Sequence, residues 1–169
     1  NLFELKQSLG TDPDVAVTAT RDGNRETIRV AFDAWQRGSA AITQVFAPDM
    51  VWHIEGRSAV AGTYRDRLSF VSLGLEPFGA RFERGEPFRP LAVRSIAADG
   101  DMVVVVWDGR GVANDGRPYE NSYAWVMRLA GGFVVEGTAF FDSIAFDELW
   151  TRSTVIRPPT PCRAPDDRT

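Results

Sequence analysis

Four β-rich segments crowd into the stretch 91–140, and they constrain the fold more than any other feature of the chain. They span residues 91–97, 102–111, 119–129 and 133–140, and the second contains four consecutive valines. Short turns separate them, at 98–101, 114–116 and 130–132, and each contains glycine. Turns of this kind join antiparallel neighbours. The sequence therefore predicts a meander of long hairpins.

The first half of the chain has a different character. Ile28, Phe32 and Trp35 recur at helical spacing and predict a helix from Glu26 to Gly38. A second short helix is expected at 40–46, a first strand at 50–55, and a partly helical stretch at 63–83. Asp142 is expected to cap a final helix through Leu149.

Helices first and hairpins afterwards predict an α+β fold. We expect a cone-shaped, curved antiparallel (mixed) sheet, wrapped by the N-terminal helices around a central pocket. Residues 1–25 form an N-terminal extension with a turn at 21–24, and residues 26–150 form the domain. The proline-rich stretch 151–169 is predicted to be a disordered tail.

Composition excludes several classes of function. A net charge of -4 without a cluster of Lys and Arg argues against nucleic acid as a partner. One cysteine, Cys162, and one histidine, His53, leave no intrachain disulfide and no histidine-rich metal site. Gly131 and Gly132 mark a turn and not a phosphate loop, so no cofactor is predicted. No segment is apolar enough to span a membrane and no leader pattern opens the chain, so we expect a cytoplasmic protein.

Two stretches of the chain resemble a known family. Residues 46–53 (FAPDMVWH) and 61–65 (AGTYR) are similar to the opening of SnoaL-like proteins of the nuclear transport factor 2-like superfamily. The last hairpin and closing helix of that family resemble residues 116–121, 123–126, 132–135 and Phe141-Asp142 of this chain. The resemblance implies the cone-shaped α+β barrel, and a homodimer packed through the outer face of the sheet.

The superfamily includes ketosteroid isomerase, limonene epoxide hydrolase, polyketide cyclases and binding domains without activity, so the fold alone does not give a function. The resemblance to ketosteroid isomerase places Ile54 at the position of that enzyme's catalytic base on the first strand. It places Trp125 at the position of the isomerase's acidic residue on a late strand. In the resemblance to the hydrolase, Asp108 matches one catalytic carboxylate. Asp108 is therefore the candidate catalytic residue.

Strand alternation assigns the other candidates to faces. Val104, Val106, Asp108 and Arg110 share one face of their strand, which we take to be the cavity face, and this would place Asp108 as a general acid or base in an apolar site. Val103, Val105 and Trp107 then point outward, and we expect them to form the dimer interface.

Polar and aromatic groups on two further strands are candidate ligand contacts. Asn121, Tyr123 and Trp125 share one face and could orient a carbonyl or hydroxyl group of a ligand. Trp52 and Ile54 share a face of the first strand. His53 has a pKa suited to proton transfer, but it lies on the opposite face unless a bulge reverses the strand.

Two functions follow from these candidates. The first is an enzyme without cofactor, an isomerase, cyclase or hydrolase, in which Asp108 moves a proton on a hydrophobic metabolite. The second is a binding or accessory protein that holds a similar small hydrophobic molecule in the same pocket without turnover. Partial loss of the family's carboxylates favours the second, whereas Asp108 and the polar strip on the strand 119–129 favour the first.

Overall fold

The computed structural model describes residues 13–155 of the protein. The chain forms a long helix α1 (Pro13–Arg37), a short 3-10 turn (Ile42–Val45), and strands β1 (Phe46–Ile54) and β2 (Gly62–Tyr64). A broken helical segment follows, consisting of α2 (Arg67–Phe70), a π-helical turn (Val71–Leu75) and α3 (Glu76–Gly79). The second half contains β3 (Arg89–Asp99), β4 (Met102–Val112), β5 (Pro118–Ala130), β6 (Phe133–Phe141) and helix α4 (Ser143–Arg152).

The six strands form one mixed sheet in the order β2-β1-β6-β5-β4-β3. The β3–β4, β4–β5 and β5–β6 pairs are antiparallel hairpins, whereas β1 lies parallel to β6. The α+β class and the hairpin meander predicted from the sequence are therefore confirmed. Asp142 also caps α4 as predicted, since its carboxylate accepts hydrogen bonds from the N–H groups of Ile144 (2.9 Å) and Ala145 (3.4 Å).

Helix α1 begins thirteen residues earlier than predicted, at Pro13, and the turn expected at 21–24 lies inside it. The glycine there lowers helix propensity by about 1 kcal/mol. Contacts with β3 and its turn offset that loss, because Asn24 donates a hydrogen bond to the carbonyl of Gly100 (3.3 Å) and Arg25 to that of Ile96 (3.2 Å). Residues 1–12 and 156–169, which carry the rest of the predicted extension and tail, lie outside the described residues.

Three other boundaries differ from the predicted ones. Helix α4, predicted to end at Leu149, continues to Arg152, so the predicted disordered tail does not begin at residue 151. The helix expected at 40–46 is a single 3-10 turn, and β1 begins at Phe46, not at residue 50. Within residues 13–155, no helix has both the length and the apolarity that crossing a bilayer requires.

The broken segment at 67–79, which we call the cover helix, lies over the concave face of the sheet. Asp66 begins it by accepting a hydrogen bond from the N–H of Ser69 (2.6 Å). Pro77 has no N–H to donate to the preceding turn, and the helix widens just before it. Arg81 holds the far end, since it donates to the carbonyls of Pro77 (2.6 Å) and Trp150 (3.3 Å) and lies over the Trp150 ring.

Candidate functional site

A cavity of about 290 Å³ lies between the concave face of the sheet, the end of α1, the cover helix and α4. This volume is at the lower end of the range for small-molecule sites in proteins. Its lining residues come from every layer of the fold: Trp35, Ala41, Ile42, Thr43, Trp52, Ile54, Val60, Phe70, Gly74, Leu75, Phe78, Gly79, Pro87, Phe88, Trp107, Tyr123, Trp125, Ala139, Phe141 and Phe146.

Four of the protein's five tryptophans line this cavity. Trp125 lies at their centre, with its ring centroid 4.9 Å from that of Trp52 and 5.1 Å from that of Trp107, both edge to face. Trp35 stacks on Trp125 at 5.9 Å. Aromatic side chains held in such contacts have few alternative rotamers, so the walls of the cavity are flat and preorganised.

A chain of hydrogen bonds lies at the β5 wall. The hydroxyl oxygens of Tyr119 and Tyr123 are 2.9 Å apart, and the side-chain amide of Asn121 donates to the Tyr119 hydroxyl at 2.8 Å. Tyr123 lines the cavity, whereas Tyr119 lies behind it in a second cluster with Phe82 and Leu149. All three polar residues are less than 9% exposed.

Burial controls the ionisation of both phenols. It raises the pKa of Tyr123 well above its ordinary value of 10, and the neighbouring Tyr119 adds to that shift. Burial also raises the pKa of Tyr119, although its hydrogen bonds with Tyr123 and Asn121 oppose that rise. Both groups therefore remain neutral hydroxyls at physiological pH.

Another polar group, on a residue of the cavity wall, has no hydrogen-bond partner within residues 13–155. The indole nitrogen of Trp107 is buried and has no hydrogen-bond partner among the described residues. The Trp107 ring stacks on Tyr123 with centroids 4.4 Å apart and an angle of 15° between the planes. A buried N–H without an acceptor costs about 1–3 kcal/mol.

The lining residues, all within 13–155, include no Asp, Glu, His, Lys, Arg or Cys from that part of the chain. In the part of the chain that the structure describes, three metal-ligating side chains nowhere converge. The cavity thus offers hydroxyl and indole hydrogen-bond donors on an aromatic surface, but no charged group.

Asp108 does not point into this cavity, and the face predicted for β4 is wrong. Val103, Val105 and Trp107 face the interior with 0% exposure. Asp108 points to the opposite, outer face, where its carboxylate accepts a hydrogen bond from the Ser122 hydroxyl (2.7 Å) and pairs with Arg94 (3.4 Å). The register explains the reversal, since Trp107 pairs with Tyr123, and directly paired residues share a face.

The dimer interface expected at Val103, Val105 and Trp107 is likewise wrong, because α1 covers these side chains. Phe32 of α1, for example, packs edge to face on Trp107 at 5.4 Å.

Arg110 and His53 also lie outside the cavity. Arg110 is on the outer face with Asp108 and forms an ion pair with Glu120 (3.0 Å). The His53 ring is 39% exposed, with one nitrogen 2.7 Å from the Thr63 hydroxyl and the other 3.3 Å from the Glu55 carboxylate. Its position on the outer side of β1 follows the strand parity, and no bulge reverses it at this position.

Four of the predicted ligand contacts do lie together in the cavity wall: Trp52, Ile54, Tyr123 and Trp125. Asn121 is buried on the same face of β5 but contacts Tyr119 and the Asp142 backbone, and not the cavity. Tyr119 was not predicted as a site residue, although the alternation Tyr119-x-Asn121-x-Tyr123 places three polar groups on one face. Trp107, which lines the cavity, was predicted to lie on the outer face.

Comparison with known proteins points to one family. The model of the SnoaL-like domain matches residues 28–137. Rv0034, an uncharacterised protein of Mycobacterium tuberculosis, is 27% identical over 146 residues, which cover 78% of this chain and 98% of the relative.

Solved structures share the fold. Bal32a, from a soil-derived mobile gene cassette, superimposes with a TM-score of 0.64 at 24% identity and covers 78% of this chain and 98% of its own. IdmH of Streptomyces antibioticus, described as a candidate polyketide cyclase, has a TM-score of 0.58 at 24% identity and covers 76% and 98%.

Proposed function

The chain belongs to the SnoaL-like domain family, and on this basis we propose that it binds one small hydrophobic molecule with a flat ring system in the cavity under the cover helix. The observation that carries the proposal is the composition of the wall, where ten of the twenty lining residues are aromatic and none is charged. A ring system buried against such a surface gains about 25 cal/mol for each Å² of apolar area removed from water.

Binding without acid–base catalysis is the function that this geometry favours. The carboxylate on which the catalytic hypothesis depended, that of Asp108, is on the other side of the sheet and is paired with Arg94. The described lining residues include no group that could accept a proton as a general base at neutral pH.

A catalytic role keeps one specific observation in its favour. Tyr123 presents a phenol at the cavity wall, and a phenol can stabilise the oxyanion of an enolate through a hydrogen bond. IdmH, of the same fold, is described as a candidate polyketide cyclase, which is compatible with this second role. The catalytic proposal differs from the binding proposal in one respect: it requires that the protein convert a carbonyl substrate into a product.

Binding is tested with two bicyclic probes, α-tetralone and its parent hydrocarbon tetralin, by isothermal titration calorimetry and thermal unfolding. Both fit a cavity of about 290 Å³, and a ligand that binds only the folded state raises the melting temperature. Ala139→Leu fills the cavity from β6 and is expected to weaken binding of both probes at least tenfold, since one extra side chain removes the space for a ring. Ala92→Leu, at an exposed position on β3, is the matched control.

Unchanged affinity in Ala139→Leu, or equal losses in both variants, would show that the probes bind elsewhere. Failure of both probes to bind the wild-type protein up to their solubility limits would count against the proposed function.

We further propose that two copies associate through the outer face of the sheet. The register brings Val104, Val106, Ala124, Val126 and Phe140 into one apolar area on this face. Phe140 is 47% exposed there, a large apolar side chain on a mostly half-buried surface. An apolar area at the centre of an open sheet face is typical of a surface that a second subunit covers.

Analytical ultracentrifugation of Phe140→Glu tests the dimer. We expect a dimer for the wild-type protein and a monomer for the variant, because burying a charged glutamate from each subunit in an apolar interface is costly. Leu68→Glu, at a 77% exposed position on the cover helix, is the control and is expected to remain dimeric. A monomeric wild-type protein would contradict this proposal and leave the ligand site untouched.

A further inference from the structure

The orientation of the Asn121 side chain is determined by backbone groups. Its oxygen accepts hydrogen bonds from the N–H of Ser122 (2.8 Å) and the N–H of Asp142 (3.3 Å). Its nitrogen donates to the carbonyl of Asp142 (3.0 Å) and to the hydroxyl of Tyr119 (2.8 Å). Flipping the amide would oppose like groups at the three backbone contacts, whose donor and acceptor roles are fixed. Asn121 is therefore a donor to Tyr119, and the Tyr119 oxygen is an acceptor.

This assignment decides the direction of the bond between the two phenols. Each hydroxyl carries one proton. If Tyr123 donated to Tyr119, the Tyr119 oxygen would accept two bonds and its own proton, on a residue 3% exposed and away from the cavity, would have no acceptor among the described residues. If Tyr119 donates to Tyr123, every group behind the wall is paired. Buried polar groups are almost always paired, so the second arrangement is favoured.

One proton is then left over, and it belongs to the residue that lines the cavity. From this we propose that Tyr123 donates its hydroxyl proton to an acceptor oxygen of the bound molecule, so that the ligand class is a cyclic ketone or quinone with its carbonyl against β5. This inference rests on the proposed binding function and specifies its ligand. Tyr123 is the binding residue, and Asn121 and Tyr119 are positioning residues that set the direction of the chain.

Trp107 gives this part of the wall the same donor character. Its buried indole N–H is unpaired, and its ring is stacked on that of Tyr123. Both polar groups identified in this part of the wall are donors, and no lining residue carries a negative charge. An aromatic cavity could also attract a quaternary ammonium group through cation–π contacts. Two donors, with no carboxylate among the described lining residues, favour the carbonyl over the cation, and this difference is testable.

The hydrogen-bond chain has a second consequence for Tyr123. A hydroxyl that accepts a hydrogen bond becomes a better donor, because hydrogen bonds in a chain polarise one another. Tyr119 is thus expected to strengthen the bond from Tyr123 to the ligand without touching the ligand. Removing the Tyr119 hydroxyl has to reduce preference for a ketone while leaving affinity for a hydrocarbon unchanged.

The test compares α-tetralone with tetralin, which has the same rings without the oxygen, on three proteins: wild type, Tyr123→Phe and Tyr119→Phe. The readout is the ratio of the two dissociation constants from calorimetry, which a general structural defect would not change. In Tyr123→Phe we expect the preference for the ketone to fall about tenfold, the effect of one hydrogen bond of about 1.4 kcal/mol. In Tyr119→Phe we expect a fall of about threefold.

Infrared spectroscopy of bound α-tetralone gives a second readout. The carbonyl stretching band is expected at lower frequency in the wild-type protein than in Tyr123→Phe, because a hydrogen bond weakens the C=O bond. Phenyltrimethylammonium serves as the cationic probe and is expected to bind more weakly than α-tetralone.

The outcomes separate this inference from the proposed function. If both probes bind the wild-type protein but Tyr123→Phe leaves their ratio and the carbonyl band unchanged, the donor assignment is wrong and the binding function stands. Tighter binding of the cation than of the ketone would overturn the ligand class. If neither probe binds, the proposed function fails, and this inference fails with it.

Discussion

Gly137 lies directly against the six-membered ring of Trp52, its partner on the neighbouring parallel strand. A Cβ atom at position 137 would overlap three carbon atoms of that ring. Trp52 is 1% exposed and forms one wall of the cavity. The position of that wall, and with it the shape of the cavity, therefore depends on a residue without a side chain.

Gly137→Ala is expected to destabilise the protein and to obstruct the cavity. The new methyl group displaces the Trp52 ring, and overpacking of this kind costs about 1–3 kcal/mol. Urea denaturation measures the loss, and calorimetry with tetralin measures the reduced affinity. Gly23→Ala is the matched control, since position 23 is an exposed helical site with open space around it, and it is expected to raise stability by about 0.4–1 kcal/mol. Equal stabilities of the wild-type protein and Gly137→Ala would show that Trp52 does not depend on this contact.

Asp108→Asn is expected to leave ligand binding unchanged. The carboxylate faces away from the cavity, and its ion pair with Arg94 is partly exposed, so its loss costs less than about 1 kcal/mol of stability. Calorimetry with α-tetralone is expected to give dissociation constants within twofold of each other, about the precision of the comparison. A large loss of affinity in this variant, without a matching loss of stability, would contradict the placement of Asp108 on the outer face.

The reversal at Asp108 shows which part of the site could be predicted from the sequence. The β segments and their turns were predicted because β-formers and glycines mark them. The inward face of β5 was also predicted correctly. For β4, however, the four valines at 103–106 are apolar on both faces, so alternation could not identify the buried one. Val112 of β4 pairs with Pro118 of β5 across the turn at 113–117. This register pairs odd-numbered residues of β4 with odd-numbered residues of β5, so they share a face.

The aromatic walls could not be assembled from local patterns either. Phe70 and Phe78 of the cover helix, Phe88 before β3 and Phe146 of α4 come from three separate segments, and only the tertiary fold brings them together. The length of α1 was not predicted because it too depends on tertiary contacts. Hydrogen bonds from α1 to the backbone of β3 and its turn offset the unfavourable glycine within the helix. The family resemblance supplied the overall architecture, but not the contents of the cavity.

The native protein is expected to show no tyrosine ionisation near pH 10. Burial raises the pKa of each of the three tyrosines, most strongly that of Tyr123. Tyrosines of the unfolded chain ionise at about pH 10, so above that pH the unfolded state binds fewer protons and stability falls as pH rises. Absorbance at the phenolate band follows the ionisation. Tyr123→Phe is expected to lose stability less steeply in alkali, and a normal tyrosine titration in the folded protein would contradict the buried phenol pair.

Asp115 is expected to contribute to stability only above moderate acidity. Hydrogen bonds from the Arg152 side chain and from Arg117 hold its pKa at about 2, below its ordinary value of 3.8. Because the folded pKa is the lower one, the contribution is fully present above about pH 4 and is lost as pH falls towards about 2. Urea midpoints of the wild-type protein and Asp115→Asn are expected to differ at neutral pH and to converge in that acid window. Asp22→Asn, at an exposed pair with Arg21, is the control. A constant difference at all pH values would argue against the lowered pKa.

The parallel pairing of β1 with β6 joins the first strand of the sheet to the last one made on the ribosome. Trp52 and Ile54 acquire their neighbours Gly137 and Ala139 only when the end of the domain has been synthesised. Contacts so distant along the chain form late, because the intervening loop must be closed first. A nascent chain that stops before Phe133 lacks β6 and therefore has no complete cavity. A ligand present during synthesis can bind and stabilise only the finished polypeptide.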